Sequence, residues 1–175
     1  MTGWYREVVI LAVDVHYEER AAQAAGAGFE RWDAAEAIEE IVVRRDESPA
    51  PYEPGEFYRR ELPHLLAVVD EARRRGRVVD VVIVDGHVWL DEGKPGLGAH
   101  LGRALGGAAA VIGVAKTSYK GGVAVEVRRG GSAAPLYVSA AGIDIGDAAA
   151  HVRAMHGPFR IPTLLKRVDR LTRVT

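Results

Sequence analysis

The residues of this chain that could do chemistry together are four acids and a lysine: Asp14, Glu61, Asp85, Asp169 and Lys116. Asp85 stands at the end of residues 78–84, a short apolar run rich in β-branched side chains, and Gly86 follows it. Such a run suits a strand buried on both faces at the centre of a sheet. Ligands of open α/β sheets gather at the C-terminal ends of the strands. A carboxylate at that tip is well placed to hold a cation; the plain alternative is that Asp85-Gly86 only turns the chain. Asp14 lies within or at the end of the run 8–17, where an ionised acid is costly unless it is paired, bound to a cation or exposed on an edge strand. Glu61 falls on a helical pattern, where a solvated face residue is the ordinary case. Four carboxylates brought together would repel one another unless divalent cations neutralised them. An oxygen-rich site in a chain without cysteine favours Mg²⁺, with Mn²⁺ able to substitute. Two such ions about 3.5–4 Å apart can activate a water and stabilise the leaving 3′-oxygen of a phosphodiester. Lys116 could stabilise charge building on the phosphate.

These groups must be carried to one place by the elements around them. Residues 8–17, 21–32 and 37–45 read as three strands of an antiparallel meander, the last favoured as β by Ile41-Val42-Val43. Residues 47–55, with three prolines and a glycine, read as a stiff loop. A helix over 56–75 follows, with Pro63 either kinking it or delaying its start to near Leu62. After the 78–84 strand, residues 94–107 read as a helix and 108–117 as a second buried strand ending at Lys116. Residues 123–128 and 136–139 read as a hairpin around Gly130-Gly131, and 145–155 as a short helix. Pro162 suits the first turn of a final helix to Val174, whose apolar stripe Leu164, Leu165, Val168 and Leu171 runs beside Asp169. This order matches a ribonuclease H-like α/β (α+β) layout: a central mixed sheet with an antiparallel meander first, flanked by helices. In it, acids from the first strand, a helix, the central strand and a late helix converge.

The bulk composition is compatible with that layout. The chain has 175 residues, 48% hydrophobic and 27% charged, which suits one globular domain over 1–175. Cysteine is absent, so disulfides and thiolate metal sites are excluded. No apolar run reaches the length of a membrane span and no signal-peptide pattern opens the chain, so a cytoplasmic, membrane-free protein is expected. The net charge of -1 gives no global basicity, yet after Val152 six Arg and Lys residues stand against Asp169 alone. That basic end suits either a phosphate backbone or the solvated face of a last helix. No internal repeat, P-loop, dinucleotide fingerprint or zinc-spaced histidine pair is present.

The motifs themselves carry a resemblance. The stretches VDVHY at 13–17, PYEPGEFYRRE at 51–61, VDGH at 84–87, GLGAHLG at 96–102, GVAK at 113–116 and RIP at 160–162 resemble, in order, those of endonuclease V, the deaminated-base (inosine) endonucleases. The combination of PYxPG…RE with DGH…GVAK is the specific part. The resemblance implies a Mg²⁺-dependent cut one phosphodiester 3′ beyond a deaminated purine, in DNA or RNA. It implies Asp14, Glu61 and Asp85 as metal ligands and Lys116 as phosphate partner. Asp169 stands where bacterial members often carry a histidine ligand. Tyr52, Pro54 and Gly55 would belong to the strand-separating wedge, and Gly86, His87 and Gly113 to the surroundings of the flipped base. The chain departs from the family pattern at Glu53, where the wedge is normally apolar, at RRE for FRE, at VWLDE after DGH, and at SAAG over 139–142. Those departures leave a second reading, a catalytically weakened nucleic-acid-binding protein on the same scaffold. A monomer is expected in either case.

Overall fold

The computed structural model describes residues 7–47, 51, 53, 54 and 56–175. Its chain begins with three antiparallel strands, β1 (Val8–Glu18), β2 (Ala21–Phe29) and β3 (Glu39–Arg45). Helix α1 (Phe57–Arg74) leads to β4 (Val78–Asp85), then to a small hairpin of β5 (Trp89–Asp91) and β6 (Lys94–Pro95). Helix α2 (Leu97–Ala104), β7 (Ala110–Ala115), β8 (Val125–Val127), β9 (Leu136–Ala141), α3 (Ile145–Ala154) and α4 (Thr163–Leu171) complete it.

The main sheet runs β3-β2-β1-β4-β7-β9-β8. β4 is therefore its middle strand, flanked by β1 and β7 in parallel, while the outer pairs are antiparallel. A strand covered on both faces needs apolar residues at successive positions, and Val81–Val84 are all buried. Both faces are closed by helices. Val9, Leu11, Val13, Val82 and Val84 pack with Leu65, Val68, Val69 and Leu101, the α1–α2 side. Ile10, Ala12, Ile83, Ile112 and Val114 pack with Ala148, Val152, Leu164 and Val168, the α3–α4 side. β2 is built largely of Ala and Gly and is buried along its whole length. Small residues let α1 press close: a Cβ on Gly26 would meet Val68 Cγ1 at 2.6 Å.

The elements differ from the sequence expectation at their edges. α1 starts at Phe57 and runs through Pro63. Pro63 is exposed, so the carbonyl deprived of its N–H partner is left to water rather than to the core. The helix read over 94–107 starts only at Leu97, because Lys94–Pro95 pair with the 89–91 strand and Gly96 is an extended N-cap. Pro162 is the N-cap of α4 rather than part of its first turn, and the helix stops at Leu171. Among the described residues no helix is long and apolar enough to cross a membrane.

Candidate active site

Strand parity decides where the reactive groups point, since side chains two residues apart share a face. Ala12 in β1, Ile83 in β4 and Val114 in β7 belong to the same core on the α4 side. Two positions after them come Asp14, Asp85 and Lys116. Asp14 follows the last residue of β1 paired with β4, Asp85 ends β4 and Lys116 follows β7; all three line one cavity, joined there by Asp169 from α4. Lys116 Nζ lies 3.8 Å from Asp85 Oδ2, an exposed pair of weak attraction. Glu61 reaches the same tips from α1, on the opposite side of the sheet.

The carboxylates feel one another. Burial pushes Asp14 up to about 6, with Asp85 and Asp169 adding to the rise, while the Val15 N–H (2.9 Å from Asp14 Oδ1) and Lys116 pull it back. Burial pushes Glu61 up to about 7, and the charges of Asp14 and Asp85 add to it against the opposing Arg60 guanidinium. Asp169 is answered by Arg173, at 3.2 Å, which in turn meets His16 Nδ1 at 3.1 Å. All four sequence-predicted acids thus share one end of the sheet. Among the described residues, however, no three Asp, Glu or His side chains stand as a set that could hold a metal ion. The donors are oxygens only, the chemistry that hard divalent cations select. A net negative charge that lifts its own carboxylates is what such a cation relieves. The donor chemistry fits Mg²⁺ or Mn²⁺; a closed ligand cage is not formed by these side-chain positions.

The remaining expected residues divide. Gly86 turns the chain at φ 132°, a backbone that favours glycine, and borders open space. Gly113 borders none: a Cβ there would meet Gly86 O at 2.5 Å, Ser139 Oγ at 2.8 Å and Val88 N at 2.9 Å. Its part is to let the 86–88 turn lie against β7 and reach the adjoining β9, where the Val88 N–H donates to Ser139 Oγ (2.8 Å). His87 donates from Nε2 to the Thr117 carbonyl (2.9 Å), which leaves Nδ1 buried and without a partner among the described residues. Pro54 is exposed in the turn before α1, and Tyr52 and Gly55 lie outside the described residues. Glu53 shares a hydrogen bond with Glu56 and holds that carboxyl above its ordinary value, so this turn carries two acids.

Several side chains beside the acids escaped the sequence reading. Arg60 lies over the Tyr17 ring at 4.0 Å, and Tyr17 meets His64 edge-on at 5.8 Å. Tyr17 Oη and Arg60 Nε are buried without partners among the described residues, and burial with Glu61 raises the Tyr17 phenol. The available signal was adjacency: Arg60 precedes Glu61 and Tyr17 closes the motif of Asp14.

Residues 4–152 match the family model of Endonuclease V, a span that holds Asp14, Glu61, Asp85 and Lys116. The chain belongs to the endonuclease V family. The endonuclease V of Pyrococcus horikoshii is 31% identical over 165 residues, covering 94% of this chain and 72% of that protein. The structure of endonuclease V from Streptomyces avermitilis superposes with a TM-score of 0.73 at 26% identity, over 94% of this chain and 79% of that one. Endonuclease V of Ciona intestinalis, solved with a 24mer DNA containing an inosine followed by a ribo-adenosine, superposes with a TM-score of 0.78 at 17% identity. It covers 94% of this chain and 84% of that one, and at that identity it bears on the fold alone. The fold is the ribonuclease H-like one expected from the element order. The family match ends before Asp169, so that acid rests on geometry rather than on the matched span.

Proposed function

We propose that this protein is a metal-dependent endonuclease that hydrolyses the phosphodiester one position 3′ beyond a deaminated purine in DNA or RNA. The observation that carries the reading is the placement of Asp14, Asp85 and Lys116 on neighbouring strands around one cavity, with Glu61 near enough for the charge of Asp14 to raise it. Family membership supports the reaction class, and the substrate proposed is of the kind with which the Ciona family member was solved, inosine-containing DNA.

Asp14, Glu61, Asp85 and Asp169 would hold Mg²⁺, or Mn²⁺ in its place. When bound, such ions supply an activated water and charge stabilisation at the leaving 3′-oxygen. The protein's own groups do the rest. Lys116 sets a positive charge beside Asp85, where a phosphate oxygen gains charge as the bond breaks. The Val15 N–H fixes one oxygen of Asp14 and so orients the carboxylate. Gly86 keeps space open beside the acids for a base withdrawn from its stack.

The test is direct. Matched single-stranded DNA and RNA, with and without one inosine, are incubated with Mn²⁺ and the cuts mapped. Cutting one phosphodiester 3′ beyond inosine, lost in Asp14→Ala and Asp85→Ala with folding intact, is the expected result. Unchanged cutting by either variant overturns the assignment of these acids. Tight binding of the oligonucleotide with no cut in Mn²⁺ assigns the chain instead to a nucleic-acid-binding role.

A further inference from the structure

The cavity that holds the acids extends on the α4 side into an apolar part to which the reading above gives no role. It has a volume of about 450 Å³, within the range of small-molecule sites, and shares Asp14, Asp85, Lys116 and Asp169 with the acid cluster. Beyond those groups its lining is mostly apolar, with Leu136, Ile161, Leu165 and Val168, together with Arg160 and Lys166. Phe159 stands on its wall and is 66% exposed.

An exposed phenylalanine on a loop is ordinarily mobile and unremarked, but this loop is fastened. Arg129 is 7% exposed and meets no carboxylate among the described residues. Its guanidinium donates to the carbonyls of Met155, Gly157, Phe159 and Arg160. Burying a charge that way is costly and is sustained only because every donor finds an oxygen. Arg160 donates to the Lys116 and Pro135 carbonyls, tying the loop to the tip of β7. The ring of Phe159 is thereby presented to solvent from a rigid mount, and Lys166 Nζ stands 5.8 Å from its centroid. Lys116, Arg160 and Lys166 set positive charge in this cavity beside its three acids, where a phosphate backbone can meet it.

We propose that this cavity takes a nucleobase of the strand being cut, stacked on Phe159, with Lys166 on the adjoining phosphate. The strand then crosses the tips of β1, β4 and β7, read on the α1 side and gripped on the α4 side. The proposal rests on the nucleic-acid reading above and adds a second base site to it. Sequence-tolerant stacking on an aromatic beside a basic groove is a recurrent way of holding single strands.

The experiment is an inosine oligonucleotide series in Mn²⁺, with an abasic site placed in turn at each of the positions flanking the cut, assayed with wild type, Phe159→Ala, Phe159→Trp and Lys166→Gln. Phe159→Ala is expected to raise KM roughly 5- to 100-fold, the usual worth of one stacked base, with the loss falling on KM rather than kcat. Phe159→Trp restores it. One abasic position costs wild type the same factor and costs Phe159→Ala nothing further, the coupling that identifies the stacked base. Lys166→Gln, exposed and independent of the loop's folding, lowers the slope of log KM against log salt by about one. A KM for Phe159→Ala within twofold of wild type, or equal losses at every abasic position in both proteins, overturns the proposal while leaving the nuclease reading standing. A wild-type protein that neither binds nor cuts the oligonucleotide removes both.

Discussion

Replacing Asp14 by asparagine should make the metal-free protein more stable while destroying its activity, and the gain should depend on pH. Asp14 is pushed up to about 6 and Glu61 to about 7, both chiefly by burial and then by neighbouring carboxylates. In the unfolded chain these acids return to about 4. A proton is therefore held more tightly in the folded state, so their favourable contribution is full below pH about 4 and is lost as pH rises through about 6 and then about 7. For Asp14 a rise of about two pKa steps corresponds to about 3 kcal/mol at pH 8, an upper figure. Burying the asparagine amide in place of Asp14 offsets part of it, although the amide would be free of the charge while still accepting from the Val15 N–H. A gain of about 1–2 kcal/mol is the expected size, or about 3–6 °C in Tm for a chain of this length. The assay is thermal unfolding of wild type and Asp14→Asn in EDTA between pH 4.5 and 8.5. The two should differ least at the acid end and separate as pH rises. Adding Mg²⁺ at pH 8 should raise the melting point of wild type and leave that of Asp14→Asn nearly unmoved, because the cation and the substitution relieve the same repulsion. An Asp14→Asn protein that melts at or below wild type at pH 8, or that shows the same gain at pH 4.5, refutes the claim that these acids strain one another.

Glu53→Ile should tighten binding to a single-stranded inosine oligonucleotide at fixed salt, since it removes one of two adjacent acids from the turn before α1; weaker binding in an anisotropy titration counts against a nucleic-acid contact there. Arg129→Leu should cost about 2–5 kcal/mol in urea unfolding, because the carbonyls of Met155, Gly157, Phe159 and Arg160 lose their buried donor together. Gly113→Ala should cost about 1–3 kcal/mol by the same measurement, as its Cβ would press on Gly86 O and Ser139 Oγ; a neutral effect would show that the 86–88 turn is free to move.

How far the site could be read in advance follows from which part of it is periodic. Asp14, Asp85 and Lys116 each end an unbroken apolar run, and a strand segment buried on both faces announces itself as such a run, closed by its first charged residue. The meander, the central β4 and the second parallel strand were legible for the same reason. The helix boundaries were less so: residues 94–96 carry helix-compatible neighbours, yet Pro95 pairs with Trp89 and Gly96 is extended, a local tertiary choice that spacing does not encode. Arg129 and Phe159 left no such trace, and Arg160 showed only as part of the RIP motif and the basic end, without its role. They lie in segments of no regular period, and their roles arise from carbonyls brought together by folding, 24 to 44 residues distant along the chain.

The same parity that made the acids legible also explains why they are strained. Packing a mixed sheet between two helical layers commits alternate residues of β1, β4 and β7 to one side, so the positions after Ala12, Ile83 and Val114 in that alternation must share a single small volume. Apolar residues there would extend the core, and the cavity beneath Leu165 and Val168 shows that the space exists. Placing Asp14 there instead costs stability by burial and by the neighbouring charges of Asp85 and Asp169 together. Proteins keep such positions at functional sites, where the repulsion is relieved by what the site binds. If Asp14→Asn is the more stable protein at pH 8, the cost is real and the acids stand where binding, not folding, requires them.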